Sequence, residues 1–292
     1  MKDRMLMTLL HALPKKTISR WMGRFARSPV SKRFIPYYIK RFDINLSEVE
    51  KPWNEYESLM EFFVRRLKPG ARPVDPSPDT VVSPVDGTIS QLGTITRDTL
   101  IQAKGLDYQL EDLLGGDRER AKQFENGTFV TIYLSPRDYH RIHAPIKGRI
   151  QGLTYIPGTL FPVNTFGVRA VRGLFVRNER LITYLTSPEL GTVALIKVGA
   201  TNVGSVKVTY DPEIVTNRPR QKQLKKKSYD PEPELEKGEE LGRFEFGSTV
   251  ILLFENGKIQ WCRDWRPEDP VQMGQPIAKA LHRSDTLLSQ RR

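Results

Sequence analysis

The sequence predicts a mainly β fold with helices at its N-terminus, an α+β chain whose core is an antiparallel barrel or sandwich. Two observations carry this. From residue 80 onward, short β-branched runs alternate with turn signals: TVVSPVDGTIS, GTFVTIYLS, GRIQGLTYI, RLITYLTS, GTVALIKVG, GSVKVTY and STVILLFENGKI. That spacing is the one of an all-β sandwich or barrel. Before residue 70 the apolar residues recur instead at i, i+3, i+4 and i+7, as on one face of a helix. The Pro- and Gly-rich stretch PGARPVDPSPD separates the two textures. It reads as a linker, so residues 1–72 form an N-terminal amphipathic helical region and residues 73–292 a β-rich core.

Taken in order, residues 1–41 hold eleven basic side chains against one acid, Asp3. Apolar groups are interleaved with them: Met5 to Leu13, then Ile18, Trp21, Met22 and Phe25, then Phe34, Ile35, Tyr37 and Tyr38. The middle set predicts a helix capped by Thr17 or Ser19 and ended by Ser28-Pro29. Two or three short helices with an apolar, aromatic face and a Lys/Arg face suit a bilayer interface; packing on the protein's own core is the plain alternative. Residues 53–68 predict one more amphipathic helix that buries Leu59, Phe62, Phe63 and Leu67. A helix interrupts the strands near Glu111 to Leu114. Residues 217–238 are polar, charged and broken by prolines, so an exposed loop is expected. Its basic half (Arg218, Arg220, Lys222 and Lys225 to Lys227) could touch an anionic surface. The residues after Ala280 are expected to fray.

Composition narrows the function classes. With 292 residues, 38% hydrophobic and 27% charged, the chain is globular. Its single cysteine, Cys262, rules out an internal disulfide and fits a reducing compartment. A net charge of +12 implies an anionic partner. No stretch matches a standard nucleic-acid module, which leaves an anionic membrane surface. No apolar run approaches the ~18–20 residues needed to span a bilayer. The segment Met5 to Leu13 faintly resembles a signal peptide, but Pro14-Lys15-Lys16 stands where a small-residue cleavage site is needed.

The stretch with chemical content is residues 237–254, KGEELGRFEFGSTVILLF. Val250 to Phe254 predicts a core strand, and Gly247-Ser248 sits at its entrance. Gly and Ser are poor strand formers, so the pair marks either a bulge or edge, or a serine nucleophile. In the second case glycine leaves the preceding carbonyl uncovered and tolerates strained backbone angles. Two of the four histidines, His140 and His143, lie in LSPRDYHRIHAPIKG. They make a poor metal site, with no Cys or third His nearby and Asp138 already next to Arg137. As acid–base groups they are suitable. Asp86 in SPVDGTIS is a turn residue, or the group that orients an imidazole. The hydrolase signature G-x-S-x-G is absent, since F-G-S-T surrounds Ser248. On spacing alone both readings stand.

The phrases SPVDGTI (83–89), QAKG (102–105), LSPRDYHRIHAP (134–145), PGTLFPVN (157–164), VGATNVGS (198–205), KGEELGRFEFGSTVI (237–251) and VQMGQ (271–275) occur in one order. In them the chain resembles the bacterial phosphatidylserine decarboxylases over nearly its whole length, with Phe246 where that family usually has Leu. The resemblance implies a self-processing proenzyme in which Asp86, His143 and Ser248 form a relay and the chain breaks between Gly247 and Ser248. Asp86 would fix the tautomer of His143, which takes the Ser248 proton. The hydroxyl would attack the Gly247 carbonyl, and loss of the Ser248 α-proton would expel the ester and leave dehydroalanine. Hydrolysis then gives a covalent pyruvoyl group as cofactor, with no metal. A Schiff base between that group and the lipid amine would carry the loss of CO2, turning phosphatidylserine into phosphatidylethanolamine.

His140 or His143 would return the proton, and Phe161, Pro162 and Val163 would form an apolar lip for acyl chains. The two cleavage fragments are expected to stay associated. A homodimer, a core resembling the barrel-sandwich hybrid of biotinyl domains, and a peripheral place on the cytoplasmic face of the inner membrane complete the expectation; nucleic acid has no part in it. The competing functions are a membrane-associated Asp–His–Ser hydrolase and a non-enzymatic membrane-binding β-domain.

Overall fold

The run Val250 to Phe254 is apolar at every position because both faces of its strand are covered. The computed structural model describes residues 15–96, 99–102, 106–201, 205–219, 222–246 and 248–281. In chain order the first strands are β1 (Thr80–Val82), β2 (Gly87–Thr94), β3 (Thr99–Gln102), β4 (Leu106–Gln109), β5 (Thr128–Leu134), β6 (Arg141–His143), β7 (Gly148–Ile156), β8 (Arg180–Ser187) and β9 (Gly191–Gly199). They continue with β10 (Ser205–Val208), β11 (Lys225–Ser228), β12 (Glu234–Leu235), β13 (Glu240–Glu245), β14 (Ser248–Phe254), β15 (Ile259–Trp261), β16 (Pro270–Val271) and β17 (Pro276–Ala280).

Eight strands run in the order β11-β7-β8-β9-β14-β5-β2-β16, with β12 also on β7, as one nine-stranded antiparallel sheet. One face packs on two three-stranded sheets, β1-β17-β15 and β10-β13-β6, through Val130, Ile132, Val250, Leu252, Val206, Phe244 and Ile277. Short helices cover the other face, packing Leu113, Phe124 and Phe175 on Ile182, Ile196, Ile251 and Leu253. The expected sandwich is therefore present, and among the described residues the sheet does not close into a barrel.

The N-terminal region is helical as expected, with α1 (Lys15–Arg27), a 3-10 turn (Pro29–Phe34), α2 (Ile35–Phe42) and α3 (Leu59–Phe63). Helix α1 turns its small residues Ser19, Gly23 and Ala26 inward and leaves Trp21, Met22 and Phe25 at 70%, 44% and 39% exposure. The apolar face thus looks outward, because small side chains let the helix backbone lie close to the protein. Met5 to Leu13 lies outside the described residues.

Three expectations change. Residues 53–68 are not one helix. The Ser58 side chain accepts from Glu61 N and starts α3 only there, and Leu67 is drawn into a bridge with Val49. Residues 217–238 are not all loop, since Lys225–Ser228 pairs with β7 as an exposed edge strand. Lysines on such an edge discourage pairing with another chain. Finally, the helix expected near Glu111 is one of several: α4 (Leu110–Leu113), α5 (Arg118–Phe124), α6 (Thr165–Ala170) and α7 (Leu174–Arg177).

Candidate active site

Ser248 is the first residue of β14, at the middle of the large sheet, opposite Leu134 of β5 on one side and Gly199 of β9 on the other. The sheet thus gathers several of the sequence phrases at one rim. Gly87 stands beside the end of β5, so close that a Cβ there would come within 2.4 Å of the Tyr133 carbonyl oxygen. Only glycine lets the Asp86 turn approach in this way. On the β9 side, the Asn178 carboxamide donates to the carbonyls of Gly199 and Phe161 and accepts from Phe161 N. Gly247, the other half of the expected cleavage site, and the Ser248 side chain lie outside the described residues.

Phe246, immediately before Gly247, has φ +80°. A side chain in this left-handed region is strained, at a cost of about 1–3 kcal/mol. Packing holds it there: its ring tilts on Phe63 of α3 (4.5 Å between centroids), and Phe63 stacks on the His140 imidazole (4.0 Å). His140 is fully buried, and among the described residues neither ring nitrogen has a hydrogen-bond partner of acceptable geometry, with the backbone of Ser135 and Pro136 nearby. Burial first, and then the Arg65 charge, push its pKa down to about 3, so the ring is neutral at physiological pH.

His143 is buried, and both its nitrogens are engaged. Nδ1 lies 2.7 Å from the Gly238 carbonyl oxygen, which can only accept. The proton is therefore on Nδ1, and Nε2 accepts from the Tyr139 hydroxyl at 3.0 Å. Burial is the largest effect on His143 and lowers its pKa, while the Glu240 and Asp86 charges oppose it. Asp86 is buried close by. It accepts from Arg72 Nε at 2.9 Å on both oxygens, from Arg72 Nη2 at 2.6 Å and from Met273 N at 2.8 Å.

The structure thus brings Asp86, His143 and the head of Ser248's strand to one rim. Among the described residues, however, no hydrogen bond joins Asp86 to His143. The tautomer-fixing role expected of Asp86 is filled by the Gly238 carbonyl, because Arg72 and Met273 N hold the carboxylate. Asp86 acts on the ring through its charge.

The lip residues also differ from expectation. Phe161 and Val163 are buried, and Pro162 is half-buried. Lys15 and Arg177 sit over the Phe161 ring at 4.4 and 4.7 Å from its centroid. The surface there is cationic rather than apolar, because Phe161 belongs to the core beneath the sheet. Tyr139 and Gly238 lay within the quoted phrases without a role. Arg72 lay in the presumed linker, where a basic residue among prolines gives no signal, and Phe63 read as ordinary helix core.

The family model for phosphatidylserine decarboxylase matches residues 59–279. A phosphatidylserine decarboxylase proenzyme of Brevibacillus brevis is 51% identical over 278 residues, 95% of this chain and 99% of that protein. Proenzymes of the same name from an Anaeromyxobacter species and from Marinobacter nauticus are 45% and 42% identical, each over 96% of this chain and 99–100% of their own length. With alignment running nearly end to end, through the rim that holds Asp86, His143 and Ser248, this chain belongs to the phosphatidylserine decarboxylase family.

Proposed function

We propose that the protein is a self-processing decarboxylase of phosphatidylserine that works at an anionic membrane surface. The observation that carries the reading is Phe246: strain stands one residue ahead of the expected scissile peptide, at the head of the central strand of a chain of this family. His143 is the base, its Nδ1 proton fixed by Gly238 so that Nε2 carries the accepting lone pair. Release of the Tyr139 hydroxyl from Nε2 opens that nitrogen to the Ser248 proton. Asp86, held by Arg72, stabilises the imidazolium that results. The Ser248 oxygen bonds to the Gly247 carbonyl carbon, and the Gly247–Ser248 amide bond breaks as the imidazolium gives its proton to the freed nitrogen. Loss of the Ser248 α-proton then expels Gly247 as a carboxylate, and the remaining dehydroalanine loses ammonia on hydrolysis.

The surroundings fit the pyruvoyl group that this cleavage would leave at position 248. Residue 248 is anchored by ladder partners on both sides. Among the described residues the His140 ring nitrogens make no hydrogen bond of good geometry, with the backbone of Ser135 and Pro136 near them. Such a group supplies an electrophilic carbonyl for the lipid amine and an electron sink for the departing CO2. His140, with a pKa pushed down to about 3, is too weak a base to carry an extra proton near neutral pH, so His143 is assigned the return of the proton to the α-carbon.

No helix among the described residues is long and apolar enough to cross a membrane. The outward apolar face of α1, flanked by Arg20 and Arg24, supports peripheral docking on a membrane surface, which this reading places at the cytoplasmic face of the inner membrane. A two-chain lipid leaves a bilayer reluctantly, at ~0.8 kcal/mol per CH2, so the enzyme must come to it.

The test is the intact mass of the purified protein. Two pieces are expected, the smaller beginning at position 248 and lacking a free amine. An uncut chain with full decarboxylase activity would falsify the reading, and an uncut esterase would point to the hydrolase.

A further inference from the structure

The outer face of the sheet β10-β13-β6 carries three cations in one row. Lys207 lies opposite Arg243, and Arg243 lies opposite Arg141. Like charges at directly opposed ladder positions destabilise a sheet unless something neutralises them. The outer two have carboxylates: Lys207 reaches Glu245 at 2.7 Å and Arg141 reaches Glu240 at 2.6 Å. Arg243, between them, has no ion-pair partner among the described residues, and its Nε is shut off from solvent without a hydrogen bond. Leaving a donor of a charged group buried and unmet is costly.

Above this row lies a cavity of about 570 Å3, lined by Arg27, Lys207, Arg218 and Arg243 with Ile214 and Val215 in its wall, and no carboxylate lines it. Glu245 lies at its edge and already binds Arg27 and Lys207. Among the described residues the positive charge without an ion-pair partner is therefore that of Arg218 and Arg243. A second cavity of about 560 Å3 shares Ile214 and Arg218 and adds Lys222 and Lys225 against one acid, Glu213. The basic half of the 217–238 segment thus lines a concave surface. One wall of the first cavity is Arg27, at the end of α1, the helix whose apolar side faces outward.

We propose that this cavity binds a phosphate group, and that the group is the phosphodiester of an anionic phospholipid in the bilayer on which α1 lies. Two guanidinium forks suit the planar, bidentate recognition of phosphate oxygens. The site stands beside Glu245, next to the proposed cleavage point but separate from His143 and Ser248. It would hold a lipid headgroup at the seam between helix and sheet. The lipid half of this inference rests on the proposed membrane docking, and the phosphate half does not.

The experiment uses the full-length protein and phosphatidylcholine vesicles with and without phosphatidylglycerol, comparing wild type with Arg218→Gln/Arg243→Gln. A control, Lys122→Gln/Lys279→Gln, removes the same charge from exposed positions on α5 and β17, away from α1 and from both cavities. The cavity pair is expected to lose roughly tenfold more affinity for the anionic vesicles than the control. Equal losses would reduce the effect to net charge and overturn the lipid site. In the second arm, inorganic pyrophosphate should raise the melting temperature of wild type but not of the cavity pair. A pyrophosphate shift with equal vesicle losses would assign the site to a free phosphate and overturn the lipid occupant; no response in either arm overturns the whole. Arg218→Gln alone, at an exposed loop position, keeps the test open if the double variant fails to fold. Phosphatidylserine turnover by wild type is measured alongside, so a failure of the proposed decarboxylase would be seen separately.

Discussion

Phe246 concentrates the residue-scale energetics of the site. Its positive φ is sustained by the contact with Phe63, and breaking the Gly247–Ser248 bond one residue on releases the constraint. Phe246→Gly removes the strain, worth about 1–3 kcal/mol, and should slow self-cleavage by roughly tenfold. Phe246→Leu keeps a large apolar side chain against Phe63 to hold the strained backbone and should cleave faster than the glycine variant, as followed by fragment appearance on a denaturing gel. His140 makes a second residue-scale prediction. Its folded pKa is about 3, below the unfolded value of about 6.5. Below pH 6.5 the unfolded chain takes up a proton that the folded chain refuses. Stability from this group is therefore complete above pH 6.5 and is lost as pH falls toward 3, at up to ~1.4 kcal/mol per pH unit. His143, also lowered by burial, adds in the same direction. His140→Phe keeps a ring against Phe63 and should flatten the fall in urea midpoint between pH 6.5 and 5.

At the scale of elements, α1 decides how the protein meets a surface. Ion pairs at both ends tie it to the site region, Lys16 to Glu179 and Arg27 to Glu245. Its exposed aromatics remain free of the core. Trp21→Glu/Phe25→Glu should cut vesicle partitioning by roughly a thousandfold, at about 2 kcal/mol per buried side chain, and leave self-cleavage unchanged. Co-sedimentation and fragment yield check the two halves. Deleting residues 1–41 is a poorer probe. It removes Ile35 and Tyr38 from the cluster that holds Phe63, and so disturbs the His140 stack.

At the scale of the whole molecule, the cleavage would place the central strand in the smaller piece. β14 pairs along its full length with β5 and with β9, and β17 in the same piece pairs with β1. The fragments should therefore co-elute in native size-exclusion chromatography and part only in denaturant. Leu252, fully buried in the sandwich, should cost about 2–5 kcal/mol when replaced by Ala, read as a lower denaturation midpoint without loss of co-elution in buffer.

The phrases that carry Asp86, His143 and Ser248 stood out only through their family resemblance, whereas local patterning was enough to reveal the strand texture after residue 80, the helix ended by Ser28-Pro29 and the core strand at Val250 to Phe254. These last features follow from side-chain periodicity and backbone propensity, which act over a few residues. The partners of the site were hidden for the opposite reason. The Gly238 carbonyl that fixes His143, the Arg72 that holds Asp86 and the Phe63 that stacks on His140 lie 95, 14 and 77 positions away, and a backbone carbonyl has no sequence signature. The outward turn of α1's apolar face was undecided as well, since an amphipathic stripe looks the same whether it covers a core or a bilayer. Only the packed chain chose, by laying Ser19, Gly23 and Ala26 inward, where small side chains allow close approach.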